Sequence, residues 1–361
     1  MQLPSSFLSL KINENMKHKQ ISLFLSFLFL TSCQAGNALE RSYEEYRNVL
    51  SFKDDTFNIL QLTDIHWTYV TKIKEAKDYL QALFLDAKKE KGHVDLVTIT
   101  GDVFLEANKS IVEELFSFLS SWDTPIAVTY GNHDKEGEWN LDWMNKMVST
   151  SKNFIAKTLS DNVYGDTNYY IDIQDGENTL WQVYMIDSNS LAPKDILKYQ
   201  YDCIHENQVK WMKGIADASK KDSSYLPSLG FFHIPPKEYK FAEEALKKDP
   251  SKVLLGENDE KACPTLIDSS FFKTAKEMNM KGMFFGHDHA NDSVTKYEEM
   301  VMGYGVKANT ELYYYKDEKG FTKTGYAFYE LRKDQSWNIQ HTYMDYSTRE
   351  VRRSSIWEST L

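Results

Sequence analysis

The chain has 361 residues, 42% of them apolar and 14% aromatic, which is enough for a sizeable core and excludes a disordered chain. Its formal charge of -11 and pI near 5.4 exclude a general nucleic-acid-binding surface, because phosphate backbones are held by clustered Lys and Arg. An anionic ligand would need a local patch of positive charge.

The first element in chain order is a targeting segment. Residues 1–33 read as an upstream extension, with a truer start at Met16, followed by a secretory signal: Lys17, His18 and Lys19 precede the apolar run Ile21 to Leu30. The run is shorter than the roughly 20 residues needed to span a bilayer. Leu30-Thr31-Ser32-Cys33 resembles a bacterial lipobox, which implies an exported lipoprotein anchored to the membrane through Cys33 and facing outside the cytoplasm. An ordinary cleaved signal is the alternative. Residues 34–55 are polar and read as a tether, 56–346 as one domain, and 347–361 as a C-terminal tail.

Inside the domain, Phe57 to Leu62, Val94 to Thr100, Pro125 to Tyr130, Leu229 to Phe232 and Lys281 to Phe285 are apolar runs of strand length bounded by Gly or polar clusters. Helical spacing marks residues 72–90, where Ile73, Ala76, Leu80, Leu83, Phe84 and Ala87 form a stripe, and again Ile111 to Leu119, His205 to Ala218 and Phe271 to Met280. Strand and helix alternate, so an α/β architecture follows. Two hairpins interrupt it and make the sheets mixed: Asn168 to Ile173 with Leu180 to Ile186, and Glu311 to Tyr315 with Gly325 to Leu331. No repeat and no dividing linker is visible. Cys203 and Cys263 lie in no metal-type spacing and could pair or stay free.

Five polar clusters follow these apolar runs directly: Asp64-Ile65-His66, Gly101-Asp102, Gly131-Asn132-His133-Asp134, Phe232-His233-Ile234-Pro235 and Gly286-His287-Asp288-His289. They hold five of the nine histidines in the chain, a concentration that points to a dinuclear metal site at the carboxyl ends of strands. If each pair is extended, Asp64 with His66 and His287 with His289 project to one side. Oxygen from Asp and Asn with imidazole nitrogen suits manganese, iron, zinc or cobalt. Trp67, Tyr69, Trp139 and Tyr304 could form a rim or belong to the core, and His18, His93, His205 and His341 have no partner motif.

These blocks, in this order, resemble the calcineurin-like metallophosphoesterases over roughly residues 56–305. Phe232-His233-Ile234-Pro235, Gly286-His287-Asp288-His289 with Asn291-Asp292, and His205-Glu206-Asn207-Gln208 before a tryptophan are similar to a purple-acid-phosphatase-like branch. Leu105 stands where the purple enzymes carry a tyrosine ligand, and His66 where they carry glycine, so the resemblance is to a non-purple branch. It implies a four-layer αββα sandwich of mixed sheets with two divalent or mixed-valence ions. One would take Asp64, His66 and His289, the other Asn132, His233 and His287, with Asp102 bridging. His133 is expected to act as general acid, with Asp134 holding its imidazole in the right tautomer and Asp292 supporting the His287/His289 loop.

Two divalent ions offset by two carboxylates and a bridging hydroxide leave roughly one net positive charge for an anionic phosphate ester. The expected reaction is phosphomonoester hydrolysis, with a metal-bridging hydroxide attacking in line at phosphorus. The alternatives are a phosphodiesterase on nucleotides or phospholipid headgroups, and a noncatalytic surface lipoprotein that keeps the fold for binding. The expected partners are a small phosphate ester and, through Cys33, a membrane; no protein partner is expected.

Overall fold

The computed structural model describes residues 44–137, 139–156, 163–192 and 200–359. The signal and residues 34–43 of the 34–55 segment lie outside them. Tyr46 to Leu361 form one compact unit. Among the described residues no helix is long and apolar enough to cross a membrane.

In chain order the strands are β1 (Arg47–Ser51), β2 (Thr56–Leu62), β3 (Leu96–Thr100), β4 (Ile126–Thr129), β5 (Tyr169–Asp175), β6 (Asn178–Met185), β7 (Ser228–Phe231) and β8 (Val253–Leu255). They continue as β9 (Met280–Phe285), β10 (Val294–Tyr297), β11 (Met300–Tyr304), β12 (Gly325–Arg332), β13 (Trp337–Met344), β14 (Val351–Arg353) and β15 (Trp357–Glu358). One sheet has eight strands in the order β1-β5-β6-β7-β9-β11-β10-β8, the other seven in the order β14-β13-β12-β2-β3-β4, with β15 on β13. In the second sheet β2, β3 and β4 are parallel, and β12 joins β2 antiparallel. In the first, β6, β7, β9 and β11 run parallel.

The parallel strands are the near-continuous apolar runs, as expected where both faces are covered. Every residue of Leu96–Thr100 is buried. The sheets pack face to face through aromatics: the Tyr329 ring of β12 lies 5.2 Å from Phe231 and 4.4 Å from Phe284, and Trp337 of β13 lies 6.0 Å from Phe284. Rings of this size contribute several kcal/mol each, on the order of 1.5–3 for a phenylalanine.

Helices cover the outer faces. Helix α1 (Ile73–Lys91) buries Ala76, Tyr79, Leu80, Leu83, Phe84 and Ala87 and rests on β2 and β12. Helix α2 (Lys109–Leu119) starts at Asn108, whose side chain accepts from the Ile111 amide, and α3 (Leu141–Thr150) starts likewise at Asn140. Helix α4 (Glu206–Ala218) packs with α6 (Phe271–Glu277), which lies on β9, while α5 (Glu238–Lys248) lies on β10. The result is the expected mixed α/β fold with two sheets between helices.

Four boundaries differ from expectation. The tether is shorter, because β1 pairs in parallel with β5 from Arg47↔Tyr170 to Ser51↔Gln174, anchored by the Arg47–Asp172 ion pair at 2.8 Å. The tail is no tail: β14 and β15 extend the second sheet along β13. The hairpin between 311–315 and 325–331 does not form, since β12 pairs with β2 and β13. Helix α6 stops at Glu277, and the chain turns through Asn279, at φ 64, into β9. Cys203 and Cys263 are unpaired.

Candidate metal centre

Each of the five clusters leaves the carboxyl end of a strand: Asp64 and His66 follow β2, Asp102 follows β3, Asn132 follows β4, His233 follows β7 and the His287/His289 loop follows β9. Both sheets therefore contribute. Cross-links hold the loops in register: the His287 amide lies 3.2 Å from the Asp64 carboxylate, and the His133 amide donates to Asp102 Oδ1 at 2.9 Å. His233 Nδ1 lies 2.8 Å from the Thr100 carbonyl, which accepts its proton and leaves Nε2 facing the site.

The convergence does not come from strand alternation. Asp64, His66, Asp102 and His287 all have positive φ, at 53, 49, 48 and 86 degrees. A left-handed conformation costs a residue other than glycine on the order of 1 kcal/mol or more, so the surrounding hydrogen bonds must hold it. The neighbouring glycines leave the space. A Cβ on Gly131 would overlap the Asp102 carboxylate, and one on Gly286 would overlap Thr63 Oγ1 and the Asp64 carboxylate.

Asp64, His66, Asp102 and His289 bring ligand atoms within 4.8 Å of one another, and so do Asp102, His233 and His287. Asp102 belongs to both groups. Its Oδ2 lies 3.1 Å from His233 Nε2 and 3.3 Å from His66 Nε2. Asn132 is one residue from the His133 amide that holds Asp102, and its Oδ1 is buried without a hydrogen-bond partner. The same is true of His66 Nε2, His233 Nε2 and His287 Nδ1, while His289 places its Nε2 3.5 Å from Asp64 Oδ1. Buried polar atoms normally find partners, so four such atoms and His289 Nε2 near two carboxylates fit a pair of cations. These seven residues could hold them.

The electrostatics follow from burial. Burial opposes ionisation of Asp102, yet His233 and His66 hold its carboxyl well below the usual range. Burial likewise opposes charge on His233, but Asp102 outweighs it and raises the imidazole to about 10. His287 falls to about 3, through burial and then the His233 charge; His289 falls too, through burial and then Lys307.

His133 and Asp134 are not partners. Asp134 is buried, and its carboxylate accepts from the amides of Val103, Phe104 and Gly131 at 2.8–3.0 Å. It ties the Asp102 loop to the Asn132 loop, so the orienting role expected of it is not seen. Glu136 takes that place, with Oε2 2.7 Å from His133 Nδ1. Burial lowers the His133 pKa, but Asp102 and Glu136 more than reverse this, and the net shift is upward. Asp292 likewise braces another segment, accepting from the Glu257 amide at 2.7 Å.

Lys307 was not legible in the sequence. It is buried, and its Nζ donates to the Asp64 carbonyl at 2.9 Å and lies 3.2 Å from His66 Nδ1. Burial pulls its pKa to about 8. A lone lysine after β11 carries no motif, so only the fold reveals it. Trp67, Trp139 and Tyr304 are core, the Tyr304 hydroxyl donating to Asp288, while Tyr69 is exposed. Tyr201 and Tyr313 were also missed: their rings lie 4.3 Å from His287 and 4.4 Å from His289. His93 and His205 pair with Asp95 and Asp202; neither belongs to the two groups that share Asp102, and His205 forms a separate group with Asp202 and Cys203.

The calcineurin-like phosphoesterase family profile matches residues 57–291. The chain is 28% identical over 323 residues to "Probable inactive purple acid phosphatase 28" of Arabidopsis thaliana, covering 77% of this chain and 79% of that protein. It is 27% identical over 201 residues to "Phosphatase DCR2" of Saccharomyces cerevisiae, covering 54% of this chain and 35% of that protein. Among solved structures, a dimetal phosphatase from Danio rerio shares the fold with a TM-score of 0.54 at 11% identity, over 79% of this chain and 96% of that one.

Proposed function

The chain belongs to the calcineurin-like phosphoesterase family, and on that premise we propose that it is a metal-dependent phosphomonoesterase. The observation that carries this reading is the set of buried, unpartnered ligand atoms gathered around the shared carboxylate Asp102. The word "inactive" in the name of the Arabidopsis relative describes that protein; here seven ligand residues and a positioned histidine support turnover.

Bound at the two groups, a pair of cations would supply Lewis-acid polarisation of phosphoryl oxygens and lower the pKa of water between them. The protein's own part is to place and hold. Asp64, His66 and His289 would take one ion, Asn132, His233 and His287 the other, with Asp102 between. Lys307 fixes the Asp64 backbone, and Thr100 fixes the His233 ring. His133 donates a proton to the leaving oxygen, and Glu136 on Nδ1 leaves Nε2 as the donor atom. The upward pKa shift of His133 keeps that proton available.

The signal-like segment ending at Cys33 supports an exported, lipid-anchored protein, on the sequence pattern alone. Mass spectrometry of the mature N-terminus tests this; an unmodified terminus elsewhere removes the anchor.

The enzymatic reading is tested on the full-length protein, chelated and then supplied with Mn²⁺, Fe²⁺, Zn²⁺ or Co²⁺, using p-nitrophenyl phosphate and its bis-ester. Turnover of the monoester with at least one metal is expected. Faster turnover of the diester reassigns the substrate class, and no turnover with any metal leaves a binding protein.

A further inference from the structure

Beside the metal centre, behind Tyr201, the surface opens into a pocket of about 460 Å³. It is joined to the ligand loop at two points. The Tyr201 ring, one wall of the pocket, stands edge-on 4.3 Å from His287, and the backbone amide of Cys263, in another wall, donates to Asp288 Oδ2 at 3.0 Å. Asp288 lies between His287 and His289 in the chain, so the pocket borders the loop that carries these two candidate ligands.

Its charges are unevenly committed. Lys240, Lys247 and Lys261 line it with Glu243 and Glu244. Glu243 is buried and engaged, with Oε1 3.0 Å from Lys247 Nζ and 3.3 Å from the Ala262 amide. Among the described residues, neither Lys240 nor Lys261 has a carboxylate within ion-pair distance. One positive charge therefore remains after Glu244 is counted, on a chain whose net charge is -11. Two lysines without a carboxylate partner on the lining of a concave space suit an anion, and pockets of a few hundred Å³ suit a small metabolite.

We propose that this pocket receives the leaving group of the substrate and selects phosphate esters whose leaving group carries a second phosphate. The ester phosphate sits at the metals, the body of the leaving group passes Tyr201, and the second phosphate is held by Lys240 and Lys261. The assignment rests on the hydrolase reading above and adds a substrate class to it.

The test compares hydrolysis of the 6-phosphate of glucose 1,6-bisphosphate with that of glucose 6-phosphate by the metal-loaded full-length protein, with p-nitrophenyl phosphate as a leaving group lacking a second phosphate. In the wild type, kcat/KM for the bisphosphate should exceed that for the monophosphate by about tenfold, mainly through KM. Lys240→Gln with Lys261→Gln should abolish the excess and leave p-nitrophenyl phosphate within about twofold, since both lysines are exposed and outside the ligand set. Equal values in the wild type, or a preference that survives the double substitution, overturn the proposal. If no ester is hydrolysed, the hydrolase reading fails separately, and equilibrium dialysis of labelled glucose 1,6-bisphosphate still decides the pocket. Saturable binding lost in the double variant supports it; absent or lysine-independent binding overturns it.

Discussion

Nδ1 of His133 and Oε2 of Glu136 stand 2.7 Å apart, across a single 3₁₀ turn that starts at His133. The contact fixes the ring, whereas Asp134 is committed to three backbone amides. Glu136→Gln should lower kcat about three- to tenfold, and His133→Ala by about tenfold or more, both with unchanged metal content. Asp134→Ala should act differently. It leaves three buried amides unpaired, at about 1–3 kcal/mol each, and should lower the unfolding midpoint as well as turnover. Steady-state kinetics, metal analysis and thermal denaturation of the three variants separate the roles.

Gly286→Ala offers a steric test of the site. The added methyl would meet Thr63 Oγ1 and the Asp64 carboxylate, and Thr63 is itself bonded to Asp64 at 2.7 Å. Asp64 must move, so metal affinity should fall by about tenfold or more. Titration of metal into chelated protein measures it, and unchanged affinity would show that Asp64 is not a ligand.

Much of this centre was legible in the chain because its ligands are chemically distinctive and each follows a buried parallel strand. The strands ending at Leu62, Thr100, Thr129, Phe231 and Phe285 each coincide with an apolar run to within two residues. What was hidden depended on tertiary approach. Lys307 looks like any loop lysine until the chain after β11 lies beside Thr63. In the sequence Asp134 is the nearer carboxylate and Glu136 is inconspicuous, but the 3₁₀ turn commits Asp134 to backbone amides and brings Glu136 to the imidazole. The edge strands β1, β14 and β15 carry charged residues and little periodicity, so only pairing defines them. The hairpin expected between 311–315 and 325–331 does not form because β12 is a central strand, and β2 and β13 already occupy both its edges.

The β10–β11 hairpin carries removable strain. Its two-residue turn places Glu298 and Glu299 at φ 44 and 72 degrees, the geometry that Asn-Gly adopts readily. Replacing Glu298→Asn with Glu299→Gly should stabilise the protein by about 1 kcal/mol, less the exposed pairs with Lys276 and Lys296, which are worth little. Urea unfolding measures the gain, and a loss would mean that the two ion pairs outweigh the turn.

His341 should make the fold acid-sensitive. It is fully buried, neither ring nitrogen has a hydrogen-bond partner, and burial lowers its pKa to about 4, with Asp292 opposing and Lys323 adding. The unfolded chain takes up its proton near pH 6.5, the folded chain only near pH 4. Between these values the unfolded state binds more protons, so stability falls as pH falls. The loss from this residue between pH 7 and pH 5 should be about 2 kcal/mol. His341→Leu should remove that increment from the pH dependence of urea unfolding; an unchanged dependence would show that His341 does not titrate with folding.

Asp102 belongs to both ligand groups, so its loss should disturb both metal positions. The most direct measurement is the metal content of the full-length protein after chelation, reloading with Mn²⁺ or Zn²⁺ and removal of excess, read per chain by mass spectrometry of the metal. Two ions per chain are expected in the wild type, with a clear loss from both positions in Asp102→Asn. One ion or none in the wild type, or two ions retained in Asp102→Asn, would rule out Asp102 as the shared ligand of a pair.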